Sequence, residues 1–249
     1  MKRVWNALLA GIRPPEPVTW PKVTPALTAE QEAIRERFLA DWLAALPTTY
    51  GRLEHFNQSY VLRRLPPRPW RVLEIGAGIG AHLEHEPGGW EEYTVCELRA
   101  EFAAELKRRH PETRVIVGDI QRGIDVPDGY FNRIMAIHVL EHLPDLPAAL
   151  HEVKRILSPE GILSVVIPCE GGALYELARE ISTRRQFEKR FRTSYDWFVK
   201  TEHVSKAPEI IQLLHEKFEV IDTSYWPLRV KSIPLNLVLG LSCRPRQDF

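Results

Sequence analysis

The sequence predicts an α/β chain: a mostly parallel sheet from about residue 70 onward, with a helical extension ahead of it. Three observations carry this. Short apolar runs alternate with helix-like stretches, the pattern of βαβ units. The first run ends in a glycine-rich turn, Gly76-Ala77-Gly78-Ile79-Gly80, where such sheets hold a ligand loop. Prolines at 14, 15, 17, 21 and 25, and again at 66, 67 and 69, read as extended connectors that set residues 28–65 apart.

Between those connectors two helices are expected. Thr28 with Gln31 forms a capping box, and Ile34, Phe38, Leu39, Trp42 and Leu43 then fall on one helical face. A second helix carries Leu53, Phe56, Tyr60 and Leu65. The chain accordingly divides into an N-terminal extension, 1–69, and an α/β domain, 70–249. The strands of that domain read as Arg71–Ile75, Tyr93–Glu97, Arg114–Val117, Phe131–Ile137 and Gly161–Ile167. A helix over Arg99–His110 is stopped by Pro111, and Leu146, Leu150, Val153 and Leu157 mark another. Right-handed crossovers bring the C-terminal ends of the strands to one edge, so the residues just past each strand are the informative ones.

Composition sets outer limits. The 33 basic and 33 acidic residues cancel, which excludes a polyanion-binding coat as a whole-chain property and argues against a nucleic-acid partner. Three cysteines with no CxxC support neither a disulfide framework nor a cysteine-cage zinc site, and point to a reducing compartment, the cytoplasm. No run reaches the roughly 18–20 apolar residues of a membrane span. Met1-Lys2-Arg3 before Val4–Ile12 faintly resembles a leader, but no small-residue cleavage site precedes Pro14, and export is not expected.

At the strand ends, the glycine loop lets a ligand approach backbone, and it is expected to open onto a helix N-terminus that favours a carboxylate or phosphate. Its third glycine comes one residue early for the dinucleotide fingerprint, although Ala81 is tolerated there, so a nicotinamide-dependent oxidoreductase is weakened rather than excluded. Glu97 lies about 20 residues on, where a carboxylate can accept from two ribose hydroxyls. Asp119 can accept from an exocyclic amine while the next N–H serves a ring nitrogen, or it can simply cap a turn.

Taken in order, Val72-Leu-Glu-Ile-Gly-Ala-Gly-Ile-Gly80, Glu97, Gly118-Asp119-Ile120 and His138-Val-Leu-Glu-His-Leu143 resemble the successive motifs of class I S-adenosylmethionine-dependent methyltransferases. Ser158-Pro-Glu-Gly161, Glu202-His-Val204 and the Leu-Leu…Phe near 213–218 are similar to the small-molecule branch often called type 11. The resemblance covers roughly residues 70–245. It implies a Rossmann-like seven-stranded sheet with an antiparallel seventh strand, closed by a hairpin of Phe218–Tyr225 and Asn236–Cys243. It also implies that Gly76, Ala77, Gly78 and Gly80 pass under the methionine part of the cofactor and that Glu74 stabilises that loop. Glu97, with Leu98 beside it, would take the ribose; Asp119 and Ile120 the adenine; Ile137 or His138 would sit by the sulfonium.

Other signals carry less. His138-Val-Leu-Glu141-His142 matches an inverted zinc-protease motif, but His138 follows directly on a strand, which splits the pair across a turn; no metal is expected. His82 and His85 read as a surface pair, and Cys169 as a pocket-wall or core thiol. Residues 184–200, with Phe187, Phe191, Tyr195 and Phe198 at helical spacing, read as an amphipathic helix with a basic face. The sharper reading makes 170–205 a substrate lid whose arginines suit an anionic acceptor. The function expected is methyl transfer to a small molecule, leaving S-adenosylhomocysteine, by a monomer or homodimer. His138 and His203 are the candidate bases, since imidazole titrates near neutrality. The competing readings are the oxidoreductase and a non-catalytic methyltransferase-like partner subunit.

Overall fold

The computed structural model of the protein describes residues 18–49 and 51–246, and only the backbone over 40–49. Within them, strands β1 (Trp70–Ile75), β2 (Trp90–Glu97), β3 (Arg114–Val117), β4 (Phe131–Ile137), β5 (Leu157–Pro168), β6 (Phe218–Trp226) and β7 (Val238–Pro245) form one sheet. Their order is β3-β2-β1-β4-β5-β7-β6. The first five run parallel, and β7 lies antiparallel to both β5 and β6. The helices are α1 (Ala29–Thr49), α2 (Gly51–Tyr60), α3 (Ala100–Arg109), α4 (Leu146–Ile156), α5 (Ala173–Arg179), α6 (Arg185–Phe191), α7 (Asp196–Glu202) and α8 (Ala207–Lys217). No described helix is long and apolar enough to cross a membrane.

The strands are apolar on both faces because helices cover both, as parallel sheets require. On one face Leu73, Ile134 and Leu163 pack with Leu150 and Val153 of α4 and Ile210 and Leu214 of α8. On the other, Val72, Val95, Met135 and Val166 pack with Tyr60 of α2 and Leu106 of α3. Adjacent residues of one strand serve opposite layers, the period-two alternation of a pleated strand. Leu157, predicted as the last helical contact of α4, instead opens β5 and pairs with Phe131, because the chain passes from helix to strand without a loop.

The predicted capping box forms: Gln31 N–H donates to Thr28 Oγ1 at 3.2 Å and Thr28 N–H to Gln31 Oε1 at 2.9 Å. Ile34, Phe38 and Leu39 pack on Phe187, Tyr195 and Phe198, so α1 supports the segment after β5. Trp42 and Leu43, and the leader-like stretch near the N-terminus, lie outside the described side chains. α2 ends at Tyr60, before Leu65, which packs on the same cluster from the following loop. The basic stretch 184–200 is two helices rather than one, broken where Arg192 takes φ +54°.

Tyr60 docks α2 onto β7. Its ring covers Gly240 so closely that an added Cβ would collide with it. Gly240→Ala is therefore expected to cost about 1–3 kcal/mol by overpacking. Urea unfolding checks this: the midpoint should fall with an unchanged slope.

Candidate active site

The loop after β1 is shaped by its neighbours. Gly76 holds φ +66°, and a Cβ there would meet Val139 Cγ2 at 2.6 Å; Gly78 holds φ +56° with nothing within 4 Å of its missing Cβ. The first glycine is thus dictated by packing, and the second leaves open ground at the sheet edge. The helix expected next is absent: Ala81–His85 is a single 3-10 turn. Pro87-Gly88-Gly89 directly behind stops it early, and the turn is pinned by buried polar contacts, His82 held between Gln58 and Glu86 at 2.7 Å each and Glu86 drawn onto Arg133. Two expectations change as a result. No long helix points its dipole at the loop, and His82 is a core residue at 1% exposure, not half of a surface pair.

Glu97 joins β2 to this loop. Its carboxylate accepts Gly78 N–H at 2.9 Å and Arg99 N–H at 3.0 Å, one on each oxygen. Each oxygen keeps a further lone pair. Leu98 beside it is 65% exposed, an apolar surface at the strand end. Asp119 caps the turn Ile120–Arg122, accepting Gln121 N–H at 3.0 Å and Gln121 Nε2 at 2.9 Å on the same oxygen. The capping reading is thus realised, and Ile120 is buried behind it. Glu74 departs from expectation. Its carboxylate accepts the Tyr93 hydroxyl at 2.6 Å, alongside Val72 in the sheet's packed layer, and makes no hydrogen bond to the glycine loop. Burial raises its pKa.

At the end of β4, Ile137 is half-buried and His138 takes φ +53°, its N–H bonded to Val166 O at 2.9 Å. His138 Nδ1 meets Glu141 Oε1 at 3.2 Å. His142 turns elsewhere, Nδ1 to Glu202 O at 2.5 Å, so the two rings of the zinc-like motif face different partners. Among the described residues no group of three metal-binding side chains is gathered.

A second polar group lies beside the first. Glu170, directly past β5, bonds His203 Nδ1 at 2.5 Å and Arg179 Nη1 at 2.6 Å. The rings of His203 and His142 meet edge-on with centroids 5.0 Å apart. Burial disfavours the His142 imidazolium and lowers its pKa. Burial opposes the His203 cation too, but the hydrogen bond and charge of Glu170 outweigh it and raise that pKa above the ordinary 6.5. Glu141 is buried, yet the hydrogen bond from His138 and the charge of the neighbouring histidines keep its pKa low. Glu141, Glu170 and Arg179 were not candidates from the sequence. Glu170 lies just past a strand, next to Cys169. That thiol is fully buried in the core, and burial pushes its pKa up. Two arginines of the segment 170–205 are committed: Arg179 to Glu170, and Arg184 to Glu180, Glu188 and Asp196.

This arrangement suits a nucleoside at the edge of β1, β2 and β3, with a carboxylate for vicinal hydroxyls and an apolar surface for a base, next to a histidine-rich compartment past β4 and β5. Comparison with known proteins agrees in fold. Residues 34–217 match a family described as a methyltransferase domain. Malonyl-[acyl-carrier protein] O-methyltransferase of Halorhodospira halophila is 32% identical over 112 residues, 41% of this chain and 37% of that protein. The matched stretches span less than half the length of each such curated relative. A SAM-dependent methyltransferase of Thermotoga maritima, a possible histamine N-methyltransferase, has a TM-score of 0.61 at 19% identity, over 86% of this chain and 99% of that one. The N-methyltransferase NodS of Bradyrhizobium japonicum, solved with S-adenosyl-L-homocysteine, has a TM-score of 0.60 at 16% identity, over 88% and 100%. At these identities the structural likeness is one of fold.

Proposed function

The chain belongs to the methyltransferase-domain family of class I S-adenosylmethionine-dependent proteins, and on that premise we propose that it transfers a methyl group to a small-molecule acceptor. The observation that carries the reading is the joint between Glu97 and Gly78, which sets a carboxylate against a glycine cradle at the strand edge. In this reading Gly76, Ala77, Gly78 and Gly80 pass beneath the methionine part of the cofactor. Glu97 takes the ribose hydroxyls, Leu98 lies against the adenine, the Ile120 N–H serves a ring nitrogen, and the Asp119 oxygen not used in the cap takes its amine. Ile137 and His138 border the methyl group. The sulfonium supplies a good leaving group, so the chain has mainly to align the acceptor and exclude water.

Residues 170–205 serve as the lid over the acceptor, buttressed by α1 through Phe38, whose ring meets Phe187 and Phe198 edge-on at 5.1 and 5.0 Å. Arg179 and Arg184 are already paired, so an anionic acceptor would have to be met by other lid cations. Three unbridged cysteines support a cytoplasmic setting. The nicotinamide reading gains no support from the family match.

Calorimetric titration with S-adenosylhomocysteine, with NADH as control, tests the proposal. Saturable binding of the first and none of the second is expected. Binding of NADH alone would overturn it.

A further inference from the structure

Three ionisable groups from separate segments converge past β5: Glu170 in the loop that follows it, Arg179 at the end of α5 and His203 at the end of α7. Glu170 is 3% exposed and occupied on both oxygens, Oε2 by His203 Nδ1 and Oε1 by Arg179. A buried charged pair of this kind is a poor source of stability, because desolvation offsets most of its attraction. What it does well is orient. A carboxylate on Nδ1 selects the tautomer with the proton there and leaves Nε2 as the basic nitrogen. Nε2 has no hydrogen-bond partner among the described residues, and the His203 side chain is 20% exposed. His138 is less well held: its contact with Glu141 is 3.2 Å, against 2.5 Å between His203 and Glu170.

Resting on the methyltransferase reading, we propose that His203 is the base for the reaction, positioned by Glu170 and Arg179, and that the acceptor is a nucleophile that must lose a proton to be methylated. The acceptor's bond to that proton breaks and the proton goes to His203 Nε2. The electron pair left behind forms the bond to the methyl carbon, while the pair of the broken carbon–sulfur bond stays on sulfur and leaves the neutral thioether.

The groups facing His203 are Glu170 beyond β5, Arg179 on α5, and Glu141 and His142 on the turn after β4; Glu202 precedes it on α7 and faces His142. Glu170 and Glu141 favour its protonated form, and Arg179 opposes it. A base must be neutral to work, so the acidic limb of activity belongs above the ordinary histidine value near 6.5. It should fall when the Glu170 charge is removed and rise when Arg179 is neutralised.

The test is a nitrogen-15 NMR titration of the histidine rings in the full chain saturated with S-adenosylhomocysteine, with His203 assigned by its loss in His203→Asn. Wild type is expected to titrate above 6.5 at His203, its neutral ring protonated on Nδ1. Glu170→Gln should lower that midpoint and Arg179→Gln raise it, and the acidic limb of activity should move with each midpoint, a coupling that a merely structural pin for the lid does not require. A wild-type midpoint at or below 6.5, a neutral ring protonated on Nε2, or variants that fold but leave the midpoint in place would overturn the proposal. The wild-type result decides even if a variant fails to fold. Binding of S-adenosylhomocysteine is scored separately by calorimetry, and the titration is repeated on the free chain: no binding, with the free chain titrating as expected, would sink the methyltransferase reading and leave the oriented histidine standing.

Discussion

Glu97→Ala is expected to weaken binding of S-adenosylhomocysteine by at least about a hundredfold, on the basis of two lost hydrogen bonds to a charged group at about 1.5–3 kcal/mol each. The effect has two sources. The carboxylate is the acceptor proposed for the ribose hydroxyls, and it is also the group that fixes Gly78 N–H at 2.9 Å. Its removal takes away a ligand contact and frees the cradle at the same time. Glu97→Gln keeps one acceptor oxygen and should fall between. Calorimetry on each variant, with melting curves to show the fold intact, checks the prediction. Wild-type affinity in a folded Glu97→Ala protein would remove Glu97 from the site.

The second large effect is on stability. Arg133 stands mid-strand in β4 at 1% exposure, its two terminal nitrogens on Glu86 at 2.8 and 2.7 Å and its guanidinium 5.5 Å from the Trp70 ring. Glu86→Ala leaves that cation buried and unpaired, and should cost about 3–5 kcal/mol. Chemical denaturation at neutral pH measures it; a loss below about 1 kcal/mol, the scale of an exposed pair, would contradict the account. The same pair makes a pH prediction. Burial works against the Glu86 carboxylate, but hydrogen bonds from His82 and Arg133 outweigh it and hold its pKa at about 2, below the ordinary 4.5. A folded-state pKa lower than the unfolded one means that the stabilisation is complete above 4.5 and fades as pH falls towards about 2. Acid titration of wild type should show that loss, and Glu86→Gln should lack it.

How legible each feature was depends on how local its cause is. β3 and β4 were read to the residue, because each is a short apolar run with turn residues close behind. The capping box of α1 was legible because both partners sit three residues apart. The glycine loop, Glu97 and Asp119 stand out by their places just past the strands, and their cofactor roles are what the family resemblance implies. The shortness of the turn after the loop has a local cause, Pro87-Gly88-Gly89 directly behind it. The burial of His82 does not: Gln58 lies 24 residues away, and Arg133, which captures Glu86, lies 47 from it. Glu170 and His203 lie 33 residues apart, with the helices α5 to α7 between them, and nothing in the spacing announces their meeting. His203 was found by its titration range, while the carboxylate that orients it was not.

The most direct test of the central claim is a crystal structure of the protein with S-adenosylhomocysteine. The account predicts the ribose hydroxyls on the Glu97 carboxylate, the adenine against Leu98 with a ring nitrogen on the Ile120 N–H, the homocysteine over Gly76–Gly80, and the sulfur facing the compartment that holds His138 and His203. A ligand seated away from the ends of β1 and β2, or a Glu97 carboxylate bonded only to Gly78 and Arg99 with the ribose out of reach, would contradict it.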